Sequence, residues 1–228
     1  LLNYMQELCL TLNSNMSSNF KYISKPEHSL VTKYTNTLNI ISIFGMSNDN
    51  NQKNMRLEQR SKFLNTLPKI LNEFNIKANI TIIQMDTNQI ETYKFNIGIL
   101  KNIGFNEIKE TLYDKDPIIF TDIDTLPNSK TLLRGLYNSS LKYPILISSS
   151  GTRYNSFAGA CISFTKEQFQ KCNGYPNNFF GWGSEDLELL LRIHKVHKYY
   201  CVLQKGGVID LEEQNNTFVD VTEKTTQL

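Results

Sequence analysis

The chain has 228 residues, 40% of them hydrophobic, enough for one compact domain with a sizeable core and too few for a second full one. Its 24 basic and 22 acidic residues leave a net charge of +2 and no basic run, so the charge gives no footprint for a nucleic-acid partner. No apolar stretch approaches the ~20 residues of a membrane helix, and no signal peptide is visible; the first residue is Leu1 rather than Met, which leaves open an anchor on a longer chain.

Residues 1–37 hold no sustained period and include the polar tract 13–19, so they read as a lead-in to a single domain over 38–228. Leu38–Phe44 is an apolar, β-branched run that stops at Gly45, the pattern of a buried strand. Ser47–Lys53 is polar and reads as a loop. From Met55 to Phe74 apolar residues recur at helical spacing, with a kink or a break expected at Pro68. Ile80–Met85 is a second strand. Tyr93–Phe105 reads as a helix ending near Gly104, followed by a short helix over 106–113. Pro117–Phe120 is a short, wholly apolar strand that runs into Thr121-Asp122-Ile123-Asp124.

Ser129–Tyr137 is a helix, and Tyr143–Ser148 and Gly159–Phe164 are strands. Thr165–Cys172 is a short helix whose Thr165 and Gln168 have capping-box spacing. A turn-rich stretch over 173–178 leads to Phe179-Phe180-Gly181-Trp182-Gly183-Ser184, and Glu185–His194 is an amphipathic helix. Val202–Leu203 and Val208–Ile209 are short strands. Strands alternating with helices in the first half imply an α/β fold with a largely parallel sheet covered on both faces. In such sheets ligands bind beyond the carboxyl ends of the strands, where Asp122 and Asp124 fall.

Cys9, Cys161, Cys172 and Cys201 form no CxxC pair, which argues against a structural zinc site; spacing leaves both disulfides and buried thiols open. Sequons begin at Asn15, Asn79, Asn138 and Asn215, as chance provides in so Asn-rich a chain.

Two sites carry chemistry. Continued as an extended segment, the third strand would place Asp122 and Asp124 on one side. Two such carboxylates repel unless a cation lies between them, and Mn²⁺ or Mg²⁺ shared with a nucleotide diphosphate is the natural guest. The plain alternative is a solvated acidic turn. The second site is Phe179–Asp186, which holds the chain's single Trp between Gly181 and Gly183. Glycine on both sides gives the backbone freedom, and an indole face suits the C–H-rich face of a sugar. Glu185 and Asp186 then open a helix, where carboxylates also favour the positive dipole end.

The run from Asn173 to Asp186 closely resembles the signature of the β-1,4-galactosyltransferase family. Phe157-Ala158-Gly159-Ala160 with Thr165–Phe169 is similar to the block that precedes it. Phe120–Pro127 resembles the family's metal-binding strand end, and Phe95-Asn96 with Asn102–Phe105 its nucleotide-contacting helix. The collinear resemblance covers about residues 78–195. It implies a GT-A fold, a UDP-sugar donor carrying galactose or N-acetylgalactosamine, Mn²⁺ (or Mg²⁺), inversion at the anomeric carbon and a glycan acceptor. It implies that Asp124 ligates the metal, Asp122 contacts the nucleotide and Phe95 packs near the uridine. Trp182, with Gly183 beside it, would lie between donor and acceptor. Glu185 and Asp186 would bind acceptor hydroxyls, Asp186 as general base, and Phe157 would stand where a donor-selecting tyrosine is usual.

The chain departs from the family in four places. The Arg-rich loop after the first strand is replaced by Ser47–Lys53, Ile97 stands where an Arg usually contacts the donor, and Leu187 replaces a third acid. No His follows His197, so the family's later Met-x-x-His is missing; Asp210 offers oxygen ligands in that region, or is an ordinary turn acid. His194 and His197 read as surface residues. The run Trp182–Leu189 also resembles retaining N-acetylgalactosaminyltransferases and chondroitin-type polymerases. A degenerate glycan-binding domain is a further alternative, and a nucleotidyltransferase is disfavoured by the lack of a Gly-rich triphosphate loop. The family's usual setting is the secretory lumen, whereas a viral or bacterial member would be cytoplasmic.

Overall fold

A computed structural model describes residues 36–45, 49–85, 95–137, 143–147, 159–181, 183–198, 200–203 and 208–211. Eight strands and five α-helices occur among them, in the order β1 (Leu38–Phe44), α1 (Asn50–Glu73), β2 (Ala78–Gln84), α2 (Ile97–Ile108), β3 (Pro117–Asp122), β4 (Thr125–Pro127), α3 (Ser129–Leu136), β5 (Ile145–Ile147), β6 (Cys161–Thr165), α4 (Lys166–Lys171), α5 (Glu185–His197), β7 (Cys201–Leu203) and β8 (Val208–Asp210). A single 3-10 turn, Lys109–Thr111, continues α2.

The main sheet has the order β2-β1-β3-β6-β5-β7, and a separate ribbon pairs β4 with β8. β1 runs parallel to both β2 and β3, β6 is antiparallel to β3 and β5, and β7 is parallel to β5. Five strands therefore share one direction and β6 alone is reversed, as a largely parallel sheet requires. All seven residues of β1 are buried because strands flank it on both edges and helices cover both faces.

The two faces have separate cores. On one, Leu38, Ile40 and Phe44 of β1 pack with Phe63, Leu67 and Leu71 of α1 and Leu132 of α3. On the other, Ile41 and Phe120 pack with Phe105 of α2, Phe169 of α4, and Leu189 and Ile193 of α5. The alternation of side chains along each strand sends neighbours to opposite layers.

Several boundaries differ from expectation. α1 starts at Asn50, inside the stretch read as a loop, because Asp49 accepts a hydrogen bond from the Gln52 N–H at 2.9 Å and caps it. Helix continues through Pro68 in one 24-residue element. Gly104 lies inside α2 rather than ending it, for a packing reason: a Cβ there would stand 2.5 Å from Ile41 Cγ2. The capping box forms as expected, with Gln168 N donating to Thr165 Oγ1 and Thr165 N donating to Gln168 Oε1. No helix among the described residues is long and apolar enough to cross a membrane.

Candidate functional site

The parallel strands β1 and β3 end at one edge of the sheet, and the candidate residues gather there. A Cβ on Gly45, which follows β1, would lie 2.6 Å from Phe95 Cε2, so the Phe95 ring lies directly over that strand end. The Phe95 carbonyl accepts a hydrogen bond from the Gly181 N–H at 2.7 Å, which joins the aromatic-glycine segment to the same edge.

Two asparagines of the α2 region tie down the segment that leads to Gly181. Asn96 caps the helix by accepting from Ile99 N at 2.8 Å, while its Nδ2 donates to the Asn177 carbonyl at 3.0 Å. Asn102 donates from Nδ2 to the Tyr175 carbonyl at 2.9 Å and to Asn177 Oδ1 at 2.8 Å, and accepts from Tyr175 N at 2.9 Å. Gly98 permits the contact, since a Cβ on it would meet the Pro176 carbonyl oxygen at 2.2 Å. Part of the motif read as nucleotide-contacting thus clamps the neighbouring loop.

The acidic pair is arranged differently from the extended reading. β3 ends at Asp122 and Ile123-Asp124 is a turn, so strand alternation does not carry through to Asp124. Asp122 Oδ1 lies 2.9 Å from Lys101 Nζ of α2, and Asp124 Oδ2 lies 2.8 Å from Arg56 Nη1 of α1. α1 and α2 cover opposite faces, and the two carboxylates reach toward different layers rather than sharing one side. The turn is braced by Thr121 Oγ1 donating to the Thr125 carbonyl at 2.7 Å and by Leu211 N donating to the Asp124 carbonyl at 2.7 Å. In the β4–β8 ribbon Thr125 is paired with Asp210, which places Asp210 one strand spacing from the acidic turn.

Lys101 is 1% exposed. Burial alone would lower its ammonium; the Asp122 carboxylate outweighs that and holds it above the ordinary lysine range, so it stays charged. Burial also lifts the Asp122 carboxyl, Lys101 opposes this, and the like charge of Asp124 adds to it. Glu185, 8% exposed at the start of α5, is raised by burial and by the charges of Asp186 and Asp122, with Lys101 acting against them. Asp186 is the next residue, and its Oδ1 accepts from Leu187 N at 2.8 Å.

Before α5 the backbone passes through positive φ at Gly181 (89°), Gly183 (102°) and Ser184 (74°). A Cβ on either glycine would meet nothing within 4 Å. The glycines there answer to backbone conformation rather than crowding, and Ser184 accepts a conformation that L-residues disfavour.

Asp122, Asp124, Asp210, Phe95, Gly183, Glu185 and Asp186 all lie among the described residues; Phe157 and Trp182 lie outside them. Of the cysteines, Cys161 and Cys172 are buried free thiols, with Cys161 pushed up to about 12 by burial. His197 is half-buried, and its Nε2 lies 3.0 Å from the Gln168 carbonyl oxygen.

Reading by motif missed Arg56 and Lys101. A lysine in the mostly apolar run Ile97–Phe105, interrupted only by it and Asn102, was the available signal for Lys101. Arg56 had none, because its partner lies 68 positions away.

A divalent cation suits this donor set in kind, since Asp122, Asp124 and Asp210 offer hard oxygens. The charge is balanced by protein groups, however, and among the described residues no group of three or more His, Cys, Asp or Glu is gathered as a ligand set. For Asp124 to give Oδ2 to a metal, Arg56 must let go of it.

Comparison with known proteins agrees with this architecture. Residues 148–212 match a family model described as the N-terminal domain of galactosyltransferase. β-1,4-Galactosyltransferase 5 of Sus scrofa is 38% identical over 112 residues, covering 46% of this chain and 27% of that protein. β-1,4-Galactosyltransferase 1 of Mus musculus is 29% identical over 156 residues, covering 68% and 37% respectively. The chain thus spans well under half the length of these relatives. The catalytic domain of Drosophila β-1,4-galactosyltransferase 7, solved with xylobiose, superposes with a TM-score of 0.61 at 22% identity over 83% of this chain and 78% of that one. A mutant of the Drosophila protein, solved with manganese, UDP-Gal and xylobiose, gives 0.58 at 21% identity, covering 83% and 80%. The fold is the GT-A fold of these structures.

Proposed function

We propose that this member of the β-1,4-galactosyltransferase family is a metal-dependent glycosyltransferase that moves a hexose, galactose or N-acetylgalactosamine, from a UDP-sugar to an acceptor sugar hydroxyl with inversion. The observation that carries this reading is the gathering of Asp122, Asp124 and Glu185 at the strand-end edge, with Phe95 over Gly45 beside them. That arrangement puts nucleotide-side and acceptor-side candidates within one electrostatic neighbourhood.

Asp124, with Asp210 across the ribbon, would hold a bound Mn²⁺ or Mg²⁺, which supplies positive charge against the departing diphosphate. Phe95 packs against the uracil, and Asp122 orients the nucleotide from the end of β3. Glu185 binds an acceptor hydroxyl. Asp186 takes the proton of the attacking hydroxyl as its oxygen bonds to the anomeric carbon; the carbon–oxygen bond to the β-phosphate breaks, and its electron pair leaves with UDP. Trp182, by its place in the motif, would lie between donor and acceptor and exclude water, which would limit hydrolysis of the donor. Phe157, by its place in the motif, would crowd the donor sugar at C2 and favour galactose over N-acetylgalactosamine.

A second reading, a domain that binds glycans without turnover, is favoured by one observation: Arg56 and Lys101 already neutralise the acidic pair one for one. A UDP-release assay decides between them. UDP-galactose and UDP-N-acetylgalactosamine are supplied with and without Mn²⁺, with xylobiose, the sugar bound in the solved relative, as the first acceptor. Manganese-dependent release that rises with acceptor supports the enzyme. UDP binding without release from any donor, over a panel of sugar acceptors, leaves the binding domain.

A further inference from the structure

Lys101 is the buried charge that motif reading did not use. It sits on α2 with only 1% of its surface exposed, where a leucine or methionine would fill the space without desolvating an ammonium. Its Nζ forms an ion pair with Asp122 Oδ1 at 2.9 Å and donates a hydrogen bond to the Gly159 carbonyl at 3.3 Å. The ammonium also stands 5.2 Å from the centroid of the Tyr175 ring. The two polar contacts join elements already linked: Asp122 N donates to the Ala160 carbonyl at 3.2 Å. Lys101 therefore ties α2, the end of β3 and the backbone entering β6 to a single point.

The effect on Asp122 is directional. Oδ1 is shut away from solvent, while 29% of the side chain remains accessible. One carboxylate oxygen is held inward by Lys101, and the rest of the side chain stays accessible at the end of β3. A buried cation that lost this partner would be costly, and so would the half-buried carboxylate that lost the cation. Removing both charges together costs much less than removing one.

We propose that Lys101 is a positioning residue for donor binding, acting through its charge to fix the Asp122 carboxylate toward the nucleotide rather than through its packing. The proposal rests on the transferase reading above, in which Asp122 contacts the nucleotide. It assigns to α2 an electrostatic role in addition to its clamp on the loop at 175–177. Glu185 also feels the Lys101 charge, so the same ammonium acts on both the donor-side and the acceptor-side acids.

The test compares wild type with Lys101→Met, Asp122→Asn and the double variant, measuring the Kd of UDP with Mn²⁺ by calorimetry and the KM of donor and acceptor separately. Lys101→Met should raise the UDP Kd and donor KM by about 10-fold or more, the range for losing a hydrogen bond to a charged group. The acceptor KM should stay within about twofold, since a donor-side change leaves that surface in place. The double variant, which keeps charge balance and stands in should Lys101→Met not fold, should bind UDP no more weakly than Asp122→Asn alone. A lowered Tm with an unchanged UDP Kd in Lys101→Met reduces Lys101 to a packing role and overturns the proposal. Additive losses in the double variant, or wild-type UDP affinity in Asp122→Asn, overturn it too while leaving turnover, and the transferase reading, intact. Wild-type protein that neither binds nor releases UDP removes that reading and this proposal together.

Discussion

The two candidate regions at the strand-end edge are built on opposite terms. At the turn after β3 every acid has a cation or a backbone brace: Lys101 on Asp122, Arg56 on Asp124, and Thr121 and Leu211 holding the main chain. At the start of α5 Glu185 is raised by burial beside Asp186, Asp186 accepts from the Leu187 N–H, and the chain reaches them through three positive-φ residues. Interiors accept charge only when it is compensated, so the first region is fixed in place by its counter-ions. The second keeps an elevated carboxyl, entered through left-handed backbone at Gly181, Gly183 and Ser184. The contrast teaches which half suits a nucleotide, whose charge must meet a prepared field, and which half suits a variable sugar acceptor.

The sharpest way to break this contrast is Asp186→Asn. It should lower turnover by about 10²–10⁴-fold, the usual worth of a general base, while the UDP Kd changes little. Surviving turnover would take the chemistry out of α5. Asp124→Ala should weaken UDP binding in Mn²⁺ by at least the roughly 10–100-fold that losing even an outer-shell partner of a metal costs. Equal UDP affinity with and without metal in the wild type would make the turn a purely protein-neutralised site.

Gly98→Ala should destabilise the fold by about 1–3 kcal/mol in denaturant unfolding, because its methyl would strike the Pro176 carbonyl and neither backbone can yield cheaply. The smallest effect is expected at Glu185. Its carboxyl is raised in the folded state, so the ionised form is disfavoured there, and stability falls as pH rises from the ordinary carboxylate range through the raised value. Glu185→Gln should therefore raise Tm at neutral pH, with the gain shrinking toward about pH 4, near the ordinary glutamate value. An unchanged or lower Tm at neutral pH would mean that Lys101 and the backbone hydrogen bond offset the burial of Glu185.

Local signals were legible wherever local physics decides. β1 has the bounds its apolar run sets, and the Thr165–Gln168 box forms as spaced. Gly104 misled because an interior glycine can answer to a facing strand, here Ile41, which one segment does not reveal. The three-residue strands β4 and β8 are too short to carry a period, yet their pairing is what brings Asp210 beside Asp124. Candidate acids could be named from motifs, whereas Arg56 and Lys101 acquire meaning only when distant segments fold together.

The asparagine clamp on α2 has a consequence for how this protein can diverge. Three of its four bonds into the 175–177 loop engage main-chain atoms, at Tyr175 N, Tyr175 O and Asn177 O. Such anchors are indifferent to which side chains the loop displays. Positions 176 and 177 can drift so long as Asn96 and Asn102 stay, whereas Tyr175, whose buried ring packs against Phe120 and Phe169, is held by its side chain as well.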